Sequence, residues 1–159
     1  MGREIRRVPP NWEHPRNEKG DYISMYDQDF ESACKEWKRE LVAWENGTHP
    51  ERETSMEYWE YAGDPPDRDS YRPKFTEEPT WYQVYETVSE GTPVTPPFPT
   101  VELLAEYLSQ HGDFAYQEGY REISPKPTYE QALKFIKQGF APSMIIMNGK
   151  MSSTYDTIK

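Results

Sequence analysis

A chain of 159 residues suffices for one domain, or for one domain with an arm. Its 35% hydrophobic content makes a thin core, offset by 14% aromatic residues, since each buried ring removes ~150–250 Å² from water. One cysteine, Cys34, excludes an intramolecular disulfide and a cysteine-based zinc site, and a net charge of −10 speaks against a body built to bind phosphate.

Residues 1–20 hold Pro9, Pro10, Pro15 and Gly20, which break helix and predict an extended arm. Ile5, Val8 and Trp12 are too apolar for an idle tail, so the arm is expected to dock on a body formed by residues 21–159 as a single α+β domain. A helix follows from Asp27 or Asp29 to Asn46. Phe30, Ala33, Trp37, Leu41 and Trp44 recur on it at spacings of three or four, an aspartate caps its start and Gly47 follows its end. Thr54-Ser55 predicts the start of one helical turn through Glu57-Tyr58-Trp59-Glu60, which Asp64-Pro65-Pro66-Asp67 terminates.

From Trp81 to Val88 the chain alternates in period two, with Tyr82, Val84 and Glu86 on one face and Gln83, Tyr85 and Thr87 on the other, as in a strand. Glu90-Gly91-Thr92-Pro93 turns the chain, and Pro96, Pro97 and Pro99 keep it extended. Thr100 caps a helix with Leu103, Leu104, Tyr107 and Leu108 on its buried face, closed by His111-Gly112. Thr128 caps another, with Gln131 as capping-box partner, Gly139 as the stop, and Leu133, Ile136 and Phe140 on the apolar side. Asn148-Gly149 between residues 143–147 and 150–154 is a strong hairpin signal. This order predicts an α+β fold, a small antiparallel sheet with helices packed on one face and an extended N-terminal arm.

Charge is uneven along the chain. Residues 1–19 have net charge +2, residues 20–99 −11 and residues 100–159 −1. The longest strongly apolar run, Met144-Ile145-Ile146-Met147, is far too short to span a bilayer. Arg3, Arg6 and Arg7 have no apolar run behind them, so they do not open a signal peptide. The expectation is a soluble, cytoplasmic protein.

Several stretches together resemble a known family. Gly2-Arg3-Glu4-Ile5-Arg6-Arg7-Val8-Pro9-Pro10-Asn11-Trp12-Glu13-His14-Pro15 is similar to the opening of a widespread family of small proteins from tailed phages and prophages. So are Tyr82-Gln83-Val84-Tyr85-Glu86-Thr87-Val88-Ser89-Glu90-Gly91-Thr92-Pro93-Val94, Phe98-Pro99-Thr100-Val101-Glu102-Leu103-Leu104-Ala105 and Gly139-Phe140-Ala141-Pro142-Ser143. Residues 113–127 depart from the pattern. The resemblance implies a phage accessory protein working in the bacterial host cytoplasm, and it carries no catalytic or binding residues across.

Candidate chemistry is sparse. Asp64, Asp67 and Asp69 share a proline-rich loop at a spacing that offers oxygen ligands, but the glycine and terminal glutamate of a calcium loop are missing. His14, His49 and His111 are too scattered for a metal site; His14 is better placed to hydrogen-bond the docked arm, and His111 to sit as a cation at a helix end. Neither a nuclease motif, a complete phosphate loop nor a local catalytic pairing for Ser89 is found. Tyr58, Trp59, Tyr61, Trp81, Tyr82 and Tyr85 resemble a base-stacking platform by composition, but such platforms lie in basic grooves and this region is acidic.

The residues therefore predict no enzyme, cofactor or metal, and they disfavour direct nucleic-acid binding. They point to a binding protein whose partner carries a basic surface, and the resemblance makes that a phage accessory factor acting on host machinery or a bacterial defence system. Glu51, Glu53, Asp64, Asp67, Asp69, Tyr58 and Trp59 are the expected partner-binding residues. The alternatives are a small structural or assembly component, homodimeric through exposed aromatics, and, least favoured, a nucleic-acid-processing enzyme.

Overall fold

The computed structural model describes residues 2–87, 91–112, 126–141, 145–147 and 150–152. Its elements are β1 (Arg3–Val8), β2 (Tyr26–Asp29), α1 (Phe30–Glu45), α2 (Tyr58–Ala62), a 3-10 turn over Arg68–Ser70, β3 (Tyr71–Arg72), β4 (Trp81–Glu86), α3 (Val101–His111), α4 (Tyr129–Gln138), β5 (Phe140–Ala141), β6 (Ile145–Met147) and β7 (Lys150–Ser152). This is an α+β arrangement. The chain divides into two units, one of Met1–Ser24 with Phe75–Lys159 and the other of Met25–Lys74. Among the described residues no helix is long and apolar enough to cross a membrane.

The first unit is built on a three-stranded sheet in the order β4-β1-β5, antiparallel at both pairings. Arg3–Val8, read from sequence as part of an arm, is the middle strand. Ile5 pairs with Val84 and Arg3 with Glu86, so Arg3, Ile5 and Arg7 share a face with Glu86, Val84 and Tyr82. Glu4, Arg6 and Val8 share the other face with Tyr85, Gln83 and Trp81. The period-two alternation assigns these faces correctly, but both are covered: Gln83, Val84, Tyr85 and Glu86 are all buried.

Beyond β4 the proline-rich stretch 92–98 lies along its free edge. Tyr82 and Phe98 exchange backbone hydrogen bonds of 2.8 Å each way, Val94 N–H donates to Val84 O at 2.9 Å and Glu86 N–H to Thr92 O at 2.9 Å. Pro93, Pro96 and Pro97 have no N–H to give, which breaks the ladder into isolated bridges. Thr95 repairs part of the gap, its hydroxyl accepting from Val84 N–H (3.2 Å) and its carbonyl from the Gln83 side-chain amide (2.7 Å).

On the Ile5–Val84 face α3 and α4 complete the core. Leu104, Ala105 and Leu108 meet Ala132, Phe135 and Ile136 around Val84 and Val94, with Ile5, Tyr82, Phe98, Val101 and Leu133 at the margin. Two details differ from the sequence reading. Leu103 is 44% exposed, because at about 100° per residue it stands far round the helix from Ala105 and Leu108. Phe135, absent from the expected apolar side, is fully buried. Phe140 begins β5, whose side chains lie outside the described residues.

Helix ends follow their caps. Asp29 accepts from Ser32 N–H, Thr100 from Leu103 N–H, and Thr128 and Gln131 bond each other reciprocally. Gly139 closes α4 at φ +84°, where a side chain would be strained. The short α2 is capped by Glu57, not by Thr54-Ser55, because Glu60 Oε2 reaches back to accept from Glu57 N–H at 2.8 Å. The β6-β7 hairpin pairs Met147 with Lys150 and Ile145 with Ser152, while its two turn residues lie outside the described residues.

The Met25–Lys74 unit has few aliphatic side chains to bury, and its interior is aromatic. Trp44 stacks on Tyr61 with ring centres 5.0 Å apart, and Trp37 meets Tyr58 edge-on at 5.2 Å. Such pairs contribute ~0.5–1.5 kcal/mol each beyond the area they bury. Trp44 Nε1 donates to Met56 O (3.1 Å) and Arg52 Nε to Trp44 O (2.6 Å), tying the loop after α1 to the helix end. β2 and β3 pair in parallel, with Tyr26 opposite Tyr71.

Candidate functional site

In the first unit three polar aromatic side chains form one chain of hydrogen bonds. His14 Nε2 lies 2.6 Å from Ile23 O and Nδ1 lies 3.0 Å from Tyr85 Oη, which accepts from Trp12 Nε1 at 3.2 Å. A carbonyl only accepts, so Nε2 carries the proton and Nδ1 receives one from the tyrosine. Burial pushes the His14 pKa below its ordinary 6.5, the Ile23 carbonyl partly offsets this, and the charges of Arg6 and Arg16 push it further down. The neutral ring clamps residues 12–23 to β4. The geometry does for the arm residues what the sequence reading asks of His14.

This clamp predicts a pH response. The folded state holds His14 below 6.5, so in that range the unfolded chain binds more protons. Stability is therefore full above pH 6.5 and is lost as pH falls through that value toward the folded pKa, by at most about 1.4 kcal/mol per pH unit for one proton. Melting temperatures of the wild type should fall between neutral and mildly acidic pH, and His14→Gln should melt lower but with a flatter profile. An unchanged slope in the variant would assign it to other groups.

The sequence-selected partner residues all lie in the Met25–Lys74 unit. Glu51, Glu53, Asp64, Asp67 and Asp69 are exposed, and Trp59 is 64% exposed on α2. Tyr58, one residue before it, is 3% exposed and points inward, with its hydroxyl donating to Glu40 Oε2 at 3.4 Å. Burial and the Glu40 charge both raise the Tyr58 pKa, so it stays a neutral donor. Asp67 caps the 3-10 turn and Asp69 lies within it, and Asp67 accepts from the Ser70 hydroxyl at 3.3 Å. Among the described residues no three histidine, cysteine, aspartate or glutamate side chains are grouped to hold a metal ion.

Comparison with known proteins returns nothing. No family model, no curated protein and no solved structure matches the chain.

Two clefts formed by the described residues bear on function. One of about 380 Å³ lies against Glu13, His14, Pro15, Arg16 and Tyr22. Its histidine is committed to the clamp, and Arg16 covers the Tyr22 ring at 3.9 Å while donating to the Tyr22 hydroxyl at 2.6 Å. The other, of about 440 Å³, lies within the Met25–Lys74 unit between α1, α2 and β3, and Trp37, Glu36, Glu40, Tyr58, Tyr61 and Tyr71 line it. Trp37 Nε1 there is buried with no acceptor among the described residues, which costs ~1–3 kcal/mol relative to a satisfied donor. Sequence patterning misses this cleft, since Trp37 reads as core and Glu36 and Glu40 as ordinary surface charge. The i, i+4 spacing of the two glutamates beside the aromatic stripe is the signal that was there to find.

Proposed function

We propose that this chain is a non-enzymatic protein-binding factor that recognises a basic surface through the Met25–Lys74 unit. The observation that carries this is Trp59, 64% exposed in a segment whose exposed side chains include Glu51, Glu53, Asp64, Asp67 and Asp69. An exposed tryptophan is the residue type that most often anchors a protein interface, and like charge around it steers an oppositely charged partner. The resemblance to phage accessory proteins supports the bacterial host cytoplasm as the setting, with host machinery or a defence system as target.

The test is capture from host lysate. Reversing Glu51, Glu53, Asp67 and Asp69 to Lys is expected to reduce partner retention tenfold or more, on the order of the 1.4 kcal/mol that such a factor represents. Wild-type capture should also weaken with added salt, because screening shortens to ~8 Å at physiological ionic strength. Thermal melting of the variant should match the wild type, since these side chains are exposed. Full retention by the charge-reversed protein would leave the acidity as a solubility device. A second reading, assembly through self-association, draws on the exposed rings of Tyr26, Trp59 and Tyr129; sedimentation of Trp59→Ala against the wild type separates the two.

A further inference from the structure

The cleft within the Met25–Lys74 unit has walls of two kinds. Trp37, Tyr58, Tyr61 and Tyr71 supply aromatic rings, and Glu36 and Glu40 supply carboxylates from adjacent turns of α1. Each carboxylate already has one oxygen held by a neutral donor, Gln28 Nε2 at 3.1 Å for Glu36 and Tyr58 Oη at 3.4 Å for Glu40. Among the described residues neither is seen in an ion pair, whereas Arg3 pairs with Glu86, Arg6 with Glu4, Arg72 with Asp27 and Lys74 with Glu31. Ring faces and carboxylates both attract positive charge. A calcium ion needs about six to eight oxygen ligands, which a wall of rings does not supply. An organic cation is what the two walls share.

We propose that this cleft seats an arginine side chain of the protein partner. The inference rests on the protein-binding reading above and specifies the contact within it. Arginine fits better than lysine for two reasons. Its planar guanidinium stacks on rings, is weakly hydrated, and offers five donors in a fork to carboxylates side by side. This chain also uses the same contact internally, with Arg6 over Tyr85 at 4.2 Å, Arg7 over Tyr82 at 4.1 Å, Arg16 over Tyr22 at 3.9 Å and Arg68 over Phe30 at 4.6 Å. The cleft repeats that pairing with the cation left for another molecule to supply.

The experiment titrates the full chain with acetyl-Gly-Arg-Gly-amide and, separately, with its lysine counterpart, following side-chain NMR shifts of the tryptophans and tyrosines. The arginine peptide should give a saturable shift centred on Trp37, Tyr61 and Tyr71, and the lysine peptide should bind more weakly. Glu36→Gln with Glu40→Gln should weaken the arginine peptide about tenfold or more, and Tyr61→Ala, which removes an exposed wall, should weaken it too. Circular dichroism of each variant confirms that it is folded. Shifts that do not saturate, equal binding of both peptides, or undiminished binding by the double glutamine variant would overturn the proposal. The charge-reversed variant at Glu51, Glu53, Asp67 and Asp69 separates the two levels, because none of these residues lines the cleft. If it loses the partner while the wild type ignores the arginine peptide, the cleft proposal falls and the acidic-face reading stands. If the peptide binds but charge reversal leaves capture intact, the cleft stands and the acidic-face reading falls.

Discussion

Deletion of residues 1–13 is expected to abolish cooperative unfolding of the unit formed by Met1–Ser24 and Phe75–Lys159. Those residues include β1, the middle strand, so removing them strips backbone partners from β4 and β5 at once. Val8 is 2% exposed and Ile5 packs on the core, and a fully buried side chain of this size contributes ~1.5–3 kcal/mol. Arg3 lies 3.3 Å from Glu86, both nearly buried, and taking one partner from a buried pair costs ~3–5 kcal/mol. Trp12 and its bond to Tyr85 go as well. Together these losses rival the ~5–15 kcal/mol that holds a typical domain together. Calorimetry and near-ultraviolet circular dichroism should show no sharp transition from this unit. A melting point within a few degrees of the wild type would mean that the sheet survives without its centre.

Phe135→Ala should have the second largest effect. Phe135 is fully buried in the core cluster that also holds Val84, Leu104 and Leu108. Truncating such a ring leaves a cavity and costs ~3–5 kcal/mol. For a chain of this size, at ~2–4 °C per kcal/mol, the melting temperature should drop by roughly 6–20 °C. Leu103→Ala is the matched control, because 44% of Leu103 is in solvent; a surface change of this kind stays within about 0.5 kcal/mol. Equal drops for both would place the core elsewhere on α3 and α4.

Local signals carried much of this fold. Asp29, Thr100 and Thr128 start helices because a short side-chain oxygen meets an unpaired N–H within its own turn, a relationship confined to four residues. The hairpin around residues 148–149 is equally local. What escaped was long-range. Nothing within Arg3–Val8 says that its partners lie at Trp81–Glu86 and Phe140–Ala141, and its three arginines disguise a middle strand as an arm. Those arginines are tolerated because Glu86, Glu4 and the rings of Tyr85 and Tyr82 await them. The candidate site was half legible. Exposure of Glu51 and Glu53 follows from their charge, whereas the outward turn of Trp59 and the inward turn of Tyr58 do not: the latter depends on Trp37 and Trp44, whose approach no spacing rule gives.

The position of β1 in the sequence bears on how the chain is made. Ile5 leaves the ribosome well before its partner Val84, which is 79 residues behind it. At ~5–20 residues per second the strand waits roughly 4–16 s for that partner, and longer for β5. Throughout that interval both of its edges are unpaired, which invites pairing with other nascent chains. The waiting strand, however, reads Arg-Glu-Ile-Arg-Arg-Val, and four charges in six residues keep neighbouring copies apart. The side chains that look least suited to the centre of a sheet thus protect it before the sheet exists, and replacing Arg6 and Arg7 with apolar residues would shift newly made protein from the soluble fraction into aggregates.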